Sequence, residues 1–76
     1  MPRRRPPLEA REIAAYLAGA RLCVLWQRQA RSWSPTQDAV LELLAADDAL
    51  VMCSLGKRKW WHWFDRGWDS VEWGER

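Results

Sequence analysis

Tryptophan is the residue that most constrains this chain, because five of its seven tryptophans lie between residues 60 and 73. A chain of 76 residues forms one domain at most, and a domain of this size buries only about 60 % of the surface of its unfolded chain. Each indole ring carries a large apolar area and an N–H group that requires a partner. The rings must therefore fill most of a small core or form a surface that binds another molecule.

A first helix is predicted after Pro7, which suits the first helical position. One apolar face recurs at helical spacing in Ile13, Tyr16, Leu17 and Ala20. Glu9 and Glu12 complement the positive end of the helix dipole, and Gly19 marks the predicted end of the helix.

A second helix is predicted from the segment 34–37, where Ser34 can act as the cap, Pro35 occupies the first turn and Gln37 can close a capping box. Its apolar face weakens at Asp47 and Asp48. Because acidic side chains oppose the dipole at the carboxyl end of a helix, we expect the helix to stop there.

Short apolar runs elsewhere predict strands. The expected strands and turns are a buried strand at Leu22–Trp26, a strand at Ala49–Leu55, a hairpin turn at Gly56–Arg58, a return strand at Lys59–Asp65, a turn at Arg66–Gly67 and a last strand at Trp68–Trp73. The predicted fold class is therefore α+β, a small two-layer domain in the order α-β-α-β-β-β. Two helices would cover mainly one face of a three- or four-stranded sheet. A winged-helix fold with Val51–Phe64 as the wing is the alternative.

Residues 1–7 predict a flexible basic arm of arginine and proline, followed by a single compact domain over residues 8–76. The arm carries Arg3, Arg4 and Arg5, which are possible accessory contacts for a partner. A mobile, solubilising end is the alternative interpretation of the same residues.

Strand alternation divides the aromatic cluster into two faces. It would place Trp60, His62 and Phe64 on one face, and Trp61 and Trp63 on the other. Because the charged residues Lys59 and Asp65 flank the second pair, we expect Trp61 and Trp63 to face outward. The alternative is that every ring belongs to the core.

The sequence gives little reason to expect catalysis or metal binding, and no cofactor is expected. Cys23 and Cys53 lie thirty positions apart within apolar runs, a spacing that predicts two buried, reduced thiols rather than a metal site, with a disulfide as the alternative. His62 is the only histidine, and no nucleophile can be placed beside it. The apolar runs are far shorter than the roughly 20 residues that span a bilayer. We expect a cytoplasmic protein that is not an enzyme.

Tryptophan, arginine and lysine are concentrated in residues 57–68, and tryptophan and arginine are enriched at the energetic centres of protein interfaces. The chain is similar in size and composition to the accessory inhibitors that bacteriophages use against host complexes, including anti-CRISPR proteins. It shares no motif with these inhibitors. The leading hypothesis is therefore a small protein-binding module of this inhibitory type. Its expected partner-binding residues are Trp61, Trp63, Trp68, Lys57, Arg58, Lys59 and Arg66.

Two other functions fit the same residues. Three adjacent cations beside stackable rings are typical of proteins that bind single-stranded nucleic acid, although such a run is also common in a solvated turn. An exposed aromatic face could instead close a homodimer, so that the rings form a core shared by two chains.

Overall fold

The structure is a computed structural model that describes residues 7–29 and 35–71, and this part of the chain is a four-helix fold without strands. The helices are α1 (Ala10–Arg28), α2 (Gln37–Leu43), α3 (Ala46–Leu55) and α4 (Lys57–Asp69). The predicted α+β class is therefore wrong, and so is the winged-helix alternative, because Val51–Phe64 is helical apart from Gly56. The arginines of the predicted arm, Arg3, Arg4 and Arg5, lie outside the described residues.

Helix α1 begins near the predicted position but continues through Gly19 to Arg28. The buried carboxylate of Glu12 accepts hydrogen bonds from the backbone N–H groups of Leu8 (3.2 Å) and Glu9 (3.4 Å), which satisfies donors at the start of the helix. The strand predicted at Leu22–Trp26 is the carboxyl half of this helix. Its uninterrupted apolar sequence arises because Leu22, Cys23 and Trp26 face the core, whereas Val24 and Leu25 face solvent.

Two glycines explain how α1 and α4 pack so closely. A Cβ atom at Gly19 would lie 2.0 Å from the carbonyl oxygen of Phe64, and one at Gly67 would lie 1.8 Å from the carbonyl oxygen of Tyr16. The two backbones are therefore in direct contact at both glycines, an approach that only a residue without a side chain permits. The helix end predicted at Gly19 and the turn predicted at Gly67 are therefore both wrong, since each glycine lies within a helix.

The predicted second helix is divided into α2 and α3. Helix α2 begins close to the predicted start, but its cap is Thr36, whose hydroxyl oxygen accepts a hydrogen bond from the N–H of Ala39 at 3.2 Å. The predicted cap, Ser34, lies outside the described residues. Asp47 and Asp48 begin α3 instead of ending α2, so their charges complement the dipole rather than oppose it. The strand predicted at Ala49–Leu55 is the rest of α3.

The predicted hairpin turn and the predicted strand at Lys59–Asp65 are helix α4 after Gly56, and the described part of the strand predicted at Trp68–Trp73 is the end of α4 and the turn that follows it. Gly56 has a φ of 103° and joins α3 to α4, so the chain changes direction there without a loop. Trp60, Trp63, Phe64 and Gly67 recur at i, i+3, i+4 and i+7 and form the buried face of α4.

The core lies mainly between α1 and α4, and α3 closes one side of it. Its buried side chains are those of Ala15, Ala18, Leu22, Val40, Trp60, Trp63 and Phe64. Trp60 and Phe64 stack with a distance of 4.9 Å between ring centroids. An ion pair of 2.9 Å between Arg21 and the largely buried Asp48 connects α1 to α3. Large aromatic rings therefore supply most of the bulk that a domain of this length needs.

Candidate functional site

Three of the predicted partner-binding residues form the first turn of α4 and are exposed: Lys57, Arg58 and Lys59. We refer to these three residues as the basic corner. Arg11 lies beside it, because its guanidinium donates hydrogen bonds of 3.0 Å to the carbonyl and to the hydroxyl oxygen of Ser54, near the end of α3. Arg11 also contacts Glu9, and this hydrogen bond raises the pKa of its guanidinium.

The basic corner is electrostatically unfavourable for the helix that carries it. Three cations lie at the positive end of the α4 dipole, and the first turn of α4 contains no acidic residue. Each cation so placed opposes the dipole by about 0.3–1 kcal/mol. None of the three forms an ion pair within the part of the chain that the structure describes. The basic corner therefore destabilises α4, and no ion pair among the described residues offsets this effect.

The aromatic residues of the predicted site are distributed differently from the prediction. Trp63 is buried, and Trp61 and Trp68 are half-buried. The predicted outward pair of Trp61 and Trp63 is wrong because the segment is a helix, in which residues two positions apart point to nearly opposite sides. The guanidinium of half-buried Arg66 lies 5.0 Å from the centre of the Trp63 ring, so this cation packs against the core.

The carboxyl half of α4 presents the opposite charge to solvent. Asp65 and Asp69 are exposed there, on the same side of the helix as His62. Partial desolvation raises the pKa of Asp65, and the negative charge of Asp69 adds to this effect, whereas His62 opposes it. Because the folded-state pKa of this carboxyl is raised, its contribution to stability is lost as the pH rises through its titration range. Asp65 and Asp69 therefore oppose the helix dipole near the carboxyl end of α4, where Arg66 complements it.

In residues 7–29 and 35–71, side chains that could bind a metal ion do not converge on one site. No cluster of three or more His, Cys, Asp or Glu side chains there could hold a metal ion. The ring of His62 packs edge-on against Trp63, with 4.9 Å between their centroids. A shallow cavity of about 150 Å³ lies between the end of α1 and α2 and is lined by Trp26, Gln29, Ala39, Glu42 and Leu43.

The two cysteines are free thiols in different environments. Cys23 is buried in α1, as predicted, whereas Cys53 is exposed on α3, so the prediction of two buried thiols is half wrong. Burial raises the pKa of the Cys23 thiol, and a hydrogen bond with Gln27 at 3.6 Å partly offsets this. The thiolate of Cys23 is therefore scarce as well as inaccessible.

Thiol labelling tests this arrangement. We expect an aromatic disulfide reagent to modify one thiol per native chain rapidly and the second only when the protein unfolds. The Cys53→Ser variant should lose the rapid phase, and the Cys23→Ser variant should keep it. Rapid modification of both thiols in the native wild-type protein would contradict the assigned burial of Cys23.

The apolar face predicted for the first helix does not face the core, because Ile13 and Leu17 are exposed and align with a third exposed apolar residue, Val24. Ile13, Leu17 and Val24 lie on one side of this helix, away from α4. The predicted face omits Val24 because it ends the helix at Gly19, whereas the helical period of apolar residues persists beyond that glycine.

Comparisons with protein families, with curated proteins and with solved structures found no match to this chain. Within the described helices, none combines the length and the apolar character that are needed to cross a membrane. The site must therefore be interpreted from its own chemistry.

Proposed function

We propose that the protein is a non-enzymatic binding module that docks onto an acidic surface of a larger protein complex through its basic corner. The observation that carries this proposal is the placement of Lys57, Arg58 and Lys59, exposed and without ion pairs among the described residues, at the positive end of α4. Residues that break a local folding rule without compensation are expected at functional sites. The amino end of a helix adds its own positive potential to that of the three side chains.

A protein partner is favoured over single-stranded nucleic acid by the position of the rings. Stacking on bases requires aromatic faces open to solvent, but Trp60, Trp63 and Phe64 are buried and Trp61 and Trp68 are half-buried. Asp65 and Asp69 also interrupt any path for a phosphate backbone along α4. A compact acidic patch fits the basic corner better than a long polyanion does.

Two finer predictions belong to the same proposal. A module of this size that covers an acidic surface would inhibit the complex by occupying the place of its natural ligand, in the manner of the phage inhibitors that the chain resembles in size and composition. We place this action in the cytoplasm, because two free cysteines suit a reducing compartment.

The test replaces the basic corner with glutamine in the triple variant Lys57→Gln, Arg58→Gln, Lys59→Gln. We expect this variant to bind its partner at least tenfold more weakly, while its thermal unfolding temperature stays the same or rises because the unfavourable dipole interaction is gone. The measurement is affinity capture from a lysate of the source cells, with and without nuclease, together with thermal unfolding. Capture that depends on intact nucleic acid would contradict the proposal.

A second variant separates local charge from net charge. It carries the three glutamines and also Glu42→Gln, Asp65→Asn and Asp69→Asn, three neutralisations at exposed positions that restore the wild-type net charge. We expect partner binding to remain weak in this variant because the basic corner is still missing. Full recovery of binding would show that net charge, and not the basic corner, determines the interaction.

A further inference from the structure

Helix α1 carries a second apolar line that the core does not use. Ile13, Leu17 and Val24 are 39 %, 55 % and 41 % exposed, and half-buried Ala20 lies between the last two. The buried residues of α1, among them Ala15, Leu22 and Trp26, lie on the opposite side of the helix, towards α4. Single exposed apolar residues are ordinary, but four that align along one helix form a continuous surface. We refer to Ile13, Leu17, Ala20 and Val24 as the α1 stripe.

The spacing of the α1 stripe is that of a helix pair. Its residues follow one another at intervals of four, three and four positions. This is the alternation of the a and d positions of a heptad, which keeps an apolar seam directed at a partner helix. The arrangement therefore suits another helix better than it suits a small molecule.

We propose that the α1 stripe is a dimer interface, on which the α1 helix of a second copy of this chain packs in antiparallel orientation. A twofold axis between Leu17 and Ala20 places Leu17 opposite Ala20 of the second copy and Ile13 opposite Val24 of the second copy. Each layer then combines a larger side chain with a smaller one, and symmetry repeats every layer. The stripe is thus complementary to itself in the antiparallel register.

Charge at the two ends of the helix selects this orientation. Glu9, which also pairs with Arg11 of its own chain, precedes the first turn of α1, and Arg28 ends the helix without an ion pair to any described residue. Antiparallel packing brings Glu9 of each copy level with Arg28 of the other and aligns the two helix dipoles in opposite directions. Parallel packing would instead bring like charges together at both ends. This surface is separate from the basic corner, so the inference does not depend on the proposed function.

Sedimentation velocity over a wide concentration range tests the interface. We expect the wild-type protein to shift from monomer to dimer as its concentration rises, and the Leu17→Gln variant to dimerise about a hundredfold more weakly, because two buried leucines are lost from the symmetric interface. Leu50→Gln is the matched control, since Leu50 is 67 % exposed on α3 and lies outside the stripe. Unchanged dimerisation of Leu50→Gln and an unchanged helical circular dichroism spectrum of Leu17→Gln are expected. A wild-type protein that stays monomeric at every concentration would overturn the inference.

Cross-linking tests the orientation. On a Cys53→Ser background, chains with Ile13→Cys and chains with Val24→Cys are mixed and oxidised. We expect a disulfide between the two kinds of chain and little cross-linking when Val24→Cys chains are oxidised alone. Efficient cross-linking of Val24→Cys with itself would show a parallel pair and would overturn the proposed register.

Discussion

Alanine at position 67 is expected to destabilise the protein by about 3 kcal/mol, since the added methyl group would force α1 and α4 apart. The Cβ atom would lie 1.8 Å from the carbonyl oxygen of Tyr16, and a backbone atom cannot turn aside as a flexible side chain can. A domain of this length has a total stability of only about 4–11 kcal/mol. We therefore expect a large loss in the midpoint of urea denaturation, and a similar loss for Gly19→Ala.

The sign of the stability change in Gly67→Ala distinguishes a close backbone contact at Gly67 from ordinary helix propensity. In a helix with open space at this position, alanine would be more favourable than glycine by about 1 kcal/mol. Ala49→Gly at an exposed position of α3 measures that propensity alone and should destabilise by about this amount. A Gly67→Ala protein as stable as the wild type would show that the two helices do not meet there.

Alanine at position 60 is expected to lower the free energy of unfolding by about 3–5 kcal/mol. Trp60 is fully buried, stacks on Phe64 and meets the edge of the Trp61 ring with 4.9 Å between centroids. Its removal would leave a large cavity between α1 and α4. Calorimetry should detect either a much lower unfolding temperature or no cooperative transition.

Two comparison variants show whether burial determines the loss. Trp61→Ala should destabilise by only about 1–2 kcal/mol, because this ring is half-buried. Trp60→Phe should be milder than Trp60→Ala for a second reason: the Trp60 indole N–H is buried without a hydrogen-bond partner among residues 7–29 and 35–71, and phenylalanine removes this donor. Equal losses for Trp60→Ala and Trp61→Ala would contradict the described packing of α4.

Local signals in the sequence predict helix starts better than they predict the fold. The segment 34–37 indicates the start of α2 to within a few residues, because capping and proline preferences act over a single turn. Asp47 and Asp48 carry equally local information: acidic residues that disfavour a helix end favour the start of a new helix. The prediction uses these residues only as a helix end, and it therefore lacks α3.

The strand predictions failed for a physical reason that concerns α1 and α4. Both helices contain apolar residues on more than one side: Val24 and Leu25 face solvent beside the buried Leu22 and Trp26, and Trp61 adjoins the buried Trp60. Short runs of this kind do not distinguish a helix from a strand by periodicity. Gly19 and Gly67 added to the error, because glycine is typical of helix ends and turns. Here both glycines are needed for a contact between α1 and α4, which joins residues far apart in the sequence.

For the candidate site, the sequence identifies the three cations but not the helix terminus at which they lie. Lys57, Arg58 and Lys59 are predicted as a charged hairpin turn, and their exposure is the same in a helix. What could not be anticipated is their position at the positive end of a dipole, because that depends on α4 itself. The division of the rings into buried and half-buried groups follows from the same helix.

The pairing of α1 with α4 also determines when this chain can fold during its synthesis. The core face of α1 emerges first, but its main partner follows only after residues 29–56, so α4 is complete roughly 2–8 s later at 5–20 residues per second. Until α4 has been synthesised, the side chain of Leu22 lacks the aromatic cluster against which it is buried in the folded protein. A chain that is truncated before Trp60 would lack most of the core, and we expect such a product to be degraded rapidly.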